Sequence, residues 1–126
     1  MKKQIVLMVA TGILFLFFQS FSPEPPSKEA FPDEISVILR TSCYDCHYTG
    51  SQAEKALKAL NFEEWENFRV TKKIALLGDI CKVVEEGKMP PQKYLEHKPD
   101  NKITEAHKKL LCEWTKQESE KLMQGN

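Results

Sequence analysis

The sequence predicts an all-α domain of about four to five short helices. Three features of its 126 residues support this. Apolar residues return at three- and four-residue spacings in several segments, which marks one buried helix face. Capping residues, glycines and prolines separate those segments. No stretch alternates apolar and polar residues long enough to make a strand.

Pro32 and Asp33 open the first helix, with Ile35, Ile38 and Leu39 on one face. It ends at the Cys43–Cys46 stretch. Ser51 and Glu54 form an S-x-x-E start for a second short helix, with Ala53, Ala56, Leu57 and Leu60 inward. Asn61 with Glu64 begins another turn, which carries Phe62 and Trp65. Thr71 starts a longer helix with the stripe Ile74, Leu77, Cys81 and Val84, and Ile80 beside it. Gly87 stops that helix. A proline-rich loop follows from Lys88 to Asp100. Thr104 then caps a last helix to about Met123, whose apolar face is Leu110, Leu111, Trp114 and Leu122. The chain contains no internal repeat.

The N-terminus has a different character. Lys2 and Lys3 precede an uncharged, mostly apolar run from Ile5 to Phe18. A basic start and a short apolar core are the layout of a secretory signal. The run is shorter than the about 20 apolar residues of a spanning helix. Residues 1–22 are therefore read as a signal peptide or, if uncleaved, an N-terminal anchor that would attach the protein to a membrane. The expected location is outside the cytoplasm, in the periplasm. Residues 23–31 read as a proline-rich linker. Residues 32–124 form the domain, which is near the small end for a self-sufficient core, where a covalent staple helps.

Charge excludes one class of partner. The chain has 18 Lys and Arg against 18 Asp and Glu, without the basic excess of a nucleic-acid binder. The charged run Lys93–Lys121 mixes both signs and reads as a solvated helix face.

The chemistry concentrates in "SCYDCH". Cys43, Cys46 and His47 make a C-x-x-C-H triplet, the pattern of a c-type haem attachment site. Two residues between the cysteines let one helical turn offer both thiols to the two vinyl groups of a haem. The next residue then places an imidazole over the iron. A zinc site needs four ligands, usually as a second close pair, and Cys81 and Cys112 are far apart in the chain. A thioredoxin-like site needs strands around it.

A distal iron ligand is expected at Met89, in "EEGKMPPQKY". Pro90 and Pro91 fix their own φ angles and push each preceding residue into extended backbone. They thus hold the thioether in a stiff loop, where a gap-filling core methionine is the alternative. His97 and His107 are rival ligands. His107 lies among Lys and Glu and reads as exposed. For His97, the readings in order are water, a haem propionate and iron.

Cys81 and Cys112 remain. Both fall on inward faces of predicted helices, and in an oxidising compartment a disulfide between them is expected. Two buried thiols are the alternative.

The pieces "SCYDCH", "LNFEEW", "EEGKMPPQKY" and "KITEAHKKLLCEW", in that order, resemble the small haem-binding-domain family of bacterial monohaem c-type cytochromes. The resemblance covers roughly Glu34 to Trp114. It implies a cytochrome-c-like helical fold around one covalent haem c. It also implies Cys43 and Cys46 as thioether positions, His47 as proximal iron ligand and Met89 as distal ligand. Many members carry a W-P-W-Y-like stretch after the attachment site, where this chain has "YTGSQAEKALKA".

The function expected from these observations is electron transfer between redox partner proteins, with no catalysed bond change. Two alternatives stay open. One is a haem-based sensor or peroxidase-like domain with a labile sixth ligand. The other is a tethered electron-port domain of a larger complex.

Overall fold

The computed structural model describes residues 30–125, and there every regular element is helical. The expected export segment 1–22 and the linker up to residue 29 lie outside the described residues. Helix α1 is Asp33–Ser42, α2 Tyr44–His47 and α3 Glu54–Ala59. A 3-10 turn spans Phe62–Asn67. Helix α4 is Val70–Glu85, α5 Gln92–His97 and α6 Glu105–Met123, with a second 3-10 turn at Pro99–Asn101 before α6.

The all-α expectation holds among the described residues, where the α-helices number six rather than four to five. Two differences account for this. The first helix closes at Ser42, and the Cys43–His47 stretch forms its own turn, α2. The stretch expected as a loop from Lys88 to Asp100 contains α5, because Pro91 supplies the extended residue that precedes its first turn.

Cap chemistry explains most boundaries. The Thr104 hydroxyl accepts from the His107 amide at 3.1 Å and starts α6. The Asn61 side chain accepts from the Glu63 amide and starts the first 3-10 turn. Gly87, at φ +66°, takes the left-handed conformation that ends α4. Two expected starts move. Helix α4 begins at Val70, one residue before Thr71. Ser51 accepts from the Ala53 amide at 3.0 Å, so it shapes the turn before α3 and Ala53 occupies the cap position.

The core lies among α1, the first 3-10 turn, α4 and α6. Leu39, Leu77 and Leu111 are fully buried, with Ile35, Ile38, Ile80, Val84 and Ile103 around them. Helices α4 and α6 pack along each other. The stripe expected on α4 is buried at Leu77, Ile80 and Val84, while Ile74 and Cys81 are half-buried.

One residue of the expected linker belongs to this core. Phe31 is 6% exposed, and its ring lies 5.4 Å from Trp65 and 5.8 Å from both Phe62 and Trp114. Its carbonyl accepts from the buried Ser36 hydroxyl. The folded domain therefore starts one residue earlier than expected, because an aromatic ring beside a proline linker still finds a buried place.

Cys81 on α4 and Cys112 on α6 are joined in a disulfide, with 4.9 Å between their Cα atoms. Their sequence separation of 31 closes a loop worth about 3.5–4 kcal/mol in the chain-entropy model.

Two stability changes follow. Phe31→Ala should cost about 3–5 kcal/mol, read as a lower urea midpoint at an unchanged slope. A cost below about 1 kcal/mol would remove Phe31 from the core. Replacing both Cys81 and Cys112 with serine should cost about 2–5 kcal/mol, and reductant should then lower the midpoint of the wild type but not of the variant.

Candidate functional site

Helix α2 gathers the three residues of the C-x-x-C-H motif into one turn. The amides of Cys46 and His47 both donate to the Cys43 carbonyl, at 3.1 and 2.9 Å. Residues three apart lie on the same helix face, so the thiols of Cys43 and Cys46 share a side. Both cysteines are unbridged, and Cys43, Cys46 and His47 are all half-buried. Tyr44 stacks on Tyr48 at 4.6 Å and packs against Phe62 at 5.6 Å, which ties the turn to the core.

His47 is oriented by one hydrogen bond and by the edge of the Phe62 ring, 6.3 Å away. Its Nδ1 lies 2.9 Å from the Leu60 carbonyl oxygen. A carbonyl only accepts, so Nδ1 carries the hydrogen and Nε2 keeps the lone pair that a metal needs. The Leu60 carbonyl is itself fixed. Leu60 is buried, and its amide donates to the Ala56 carbonyl at the end of α3. The next side chain, Asn61, caps the 3-10 turn and donates to the Thr49 hydroxyl at 2.9 Å.

Met89 lies in the loop after α4. The amides of Lys88 and Met89 both donate to the Val83 carbonyl, at 2.9 and 3.2 Å. Met89 is 37% exposed, while Pro90 is buried. His97 and His107 are exposed.

A second link was not anticipated from sequence. Asp45, between the two cysteines, accepts from the Tyr94 hydroxyl at 2.7 Å and pairs with the Lys98 ammonium. The Asn101 side chain donates to the same Tyr94 oxygen. The Lys98 contact first, and the Tyr94 hydrogen bond second, hold the Asp45 carboxyl below the usual carboxylate range. The segment that follows Met89 is thereby joined to the Cys43–His47 turn. The available signal was a charged residue inside the motif facing a tyrosine and a lysine four apart. Helical spacing cannot show a contact across 49 residues.

These elements suit a flat apolar group. No residue of α2, α3 or α5 is fully buried. Leu57 on α3, Ile74 on α4 and Leu95 on α5 are half-buried and stand outside the set packed on the core. Apolar side chains thus remain for a ligand to cover, in a domain that also offers two unbridged thiols and an imidazole presenting Nε2.

A family model described as a haem-binding domain matches residues 48–117, more than half of the chain. The chain belongs to the haem-binding domain family. No curated protein and no solved structure matches it. Haem is thus the group this domain is built for. The matched span includes Met89, Tyr94, Lys98, Cys81 and Cys112, and it begins one residue after His47.

Burial, and second the neighbouring Cys46, push the Cys43 thiol up from 9.0 to about 12. The thiolate is the reactive form, and each pKa unit is a tenfold change in its population. In the haem-free domain, Cys43 should therefore alkylate with iodoacetamide about 10- to 100-fold more slowly than an unperturbed thiol at pH 8, because the loss of thiolate is partly offset by the greater nucleophilicity of a high-pKa thiolate. Urea should remove the difference. The sign for stability is also set. The folded state keeps the proton that the unfolded state releases near 9.0, so stability should fall as pH rises from 9.0 toward about 12. Equal alkylation rates in folded and unfolded chains would contradict this.

Proposed function

We propose that this haem-binding domain is an exported monohaem c-type cytochrome that carries electrons between redox partner proteins. The observation that supports it most is the α2 turn. It sets two unbridged thiols on one face and leaves the Nε2 of His47 available, because Nδ1 is engaged by Leu60.

Each residue then has a role. The thiols of Cys43 and Cys46 would hold the ring, each adding across one vinyl group, sulfur to one carbon and hydrogen to the other. His47 is the proximal ligand, held in one tautomer by Leu60. Met89 is the distal ligand, and a thioether there favours a raised potential. When bound, the haem iron supplies a one-electron couple between its ferrous and ferric states. The protein contributes burial, fixed ligands and a docking face, and no bond change of its own.

Export rests on residues 1–22 and on the linker that follows. The Cys81–Cys112 disulfide supports it, since such bonds persist in oxidising compartments. An uncleaved first segment would make the protein a membrane-attached electron port.

The exposure of Met89 favours one other reading, a haem-based sensor or peroxidase-like domain whose sixth ligand leaves easily. Expression with a c-type maturation system separates the two. The carrier reading expects haem that stays on the polypeptide through acid extraction. Exchanging both Cys43 and Cys46 for serine should release it. It also expects the weak near-red sulfur-to-iron band of the ferric protein, absent in Met89→Ala, together with a lower potential in that variant. A wild type that lacks the band and binds carbon monoxide readily would establish the sensor reading instead.

A further inference from the structure

We propose that Asp45 and Tyr94 are positioning residues that hold the Met89 loop over the attachment turn, so that the distal ligand stays on the iron. The inference rests on the c-type reading above and adds to it a specific device for keeping the sixth position closed.

The Met89 loop has two ends, and different chemistry fixes each. On the N-terminal side, Gly87 turns the chain out of α4. The amides of Gly87, Lys88 and Met89 then donate to carbonyls of Val84 and Val83. That end belongs to the core, because Val84 is buried. On the C-terminal side, Pro91 leads directly into α5, a helix with no fully buried residue. Apolar burial therefore does little to hold α5 in place.

What fixes α5 is polar. Tyr94, in its middle, donates to the Asp45 carboxylate at 2.7 Å, and Lys98, at its C-cap, pairs with the same oxygen. Asn101 donates to the Tyr94 oxygen, so that oxygen both gives and receives. Residues four apart share a helix face, which is why both reach one carboxylate. Asp45 sits two residues from His47 on the turn that presents the proximal ligand. Its carboxylate therefore ties the loop of one axial ligand to the turn of the other. Hydrogen bonds to an ionised group are the stronger kind, although this one is open to solvent and is weakened accordingly.

The consequence is kinetic and thermodynamic at the sixth position. With the clamp released, α5 and Pro91 move more freely, and Met89 leaves the iron more often. An external ligand such as imidazole then binds better, since its affinity scales with the fraction of open sites.

The experiment uses the matured, haem-loaded protein and titrates ferric iron with imidazole. Asp45→Asn and Tyr94→Phe should each raise imidazole affinity about three- to tenfold and weaken the near-red band. Asp45→Asn keeps an acceptor for Tyr94 but loses the charge that Lys98 needs. Tyr94→Phe keeps the ring and loses only the hydroxyl. Asp45 lies inside the attachment motif, so haem content is checked by mass, and Tyr94→Phe provides the arm that leaves the motif untouched. The decisive comparison is in a Met89→Ala background, where neither change should alter imidazole affinity. A general loss of structure would alter it in both backgrounds. If the wild type shows the band and both variants bind imidazole as it does, the clamp is overturned and the c-type reading stands. If the wild type lacks the band, the Met89 assignment fails and takes the clamp with it.

Discussion

The hydrogen bond from His47 Nδ1 to the Leu60 carbonyl is the contact on which the site depends. It converts core packing into ligand chemistry. Leu60 is buried, and the residues that follow it, Phe62 and Trp65, are buried as well. The peptide group of Leu60 thus cannot turn without disturbing the aromatic cluster around Phe31 and Trp114. A fixed carbonyl fixes the ring tautomer, and the tautomer leaves Nε2 as the nitrogen with a free lone pair. The Phe62 ring meets the imidazole edge-on at 6.3 Å and adds to its aim.

The same logic explains why so small a domain uses covalent staples. Its buried apolar side chains belong to α1, the first 3-10 turn, α4 and α6, with Phe31, Leu60 and Ile103 from the adjoining segments. The Cys81–Cys112 disulfide joins the two longest of these helices. Its effect is mainly on the unfolded chain, which loses the freedom of a long loop. The ligand-bearing half has no such staple. It relies on the turn at Gly87 and on the Leu60 carbonyl.

The parts legible in the sequence were those set by local rules. Helical spacing gave the inward faces of α1, α4 and α6. Thr104, Asn61 and Gly87 marked true boundaries, because capping chemistry acts over three or four residues. The motif Cys43–His47 forms the single turn its spacing requires. What was not legible depends on distant partners. Helix α5 is only six residues long and lies between prolines, so no apolar period could develop. Phe31 follows a proline-rich run and reads as linker, yet its neighbours Trp65 and Trp114 come from far along the chain. Asp45 reads as spacer inside a motif, and its partners Tyr94 and Lys98 appear only when the chain folds back on itself.

These two kinds of information meet at the boundary between the halves. One half is held by apolar burial and is cooperative. The other, made of α2, α3 and α5, has no fully buried residue; it is tied to the core through Tyr44 and by individual polar contacts: His47 to Leu60, and Asp45 to Tyr94 and Lys98. Segments with few buried contacts open first in local fluctuations. A ligand that binds only the closed form stabilises it by mass action, and haem held through Cys43 and Cys46, as proposed, would always be present at the site. The half-buried Leu57, Ile74 and Leu95 then gain a surface to pack on. On this account the haem is the second core of the domain. That is why the elements that carry its ligands can be so short and so polar by themselves.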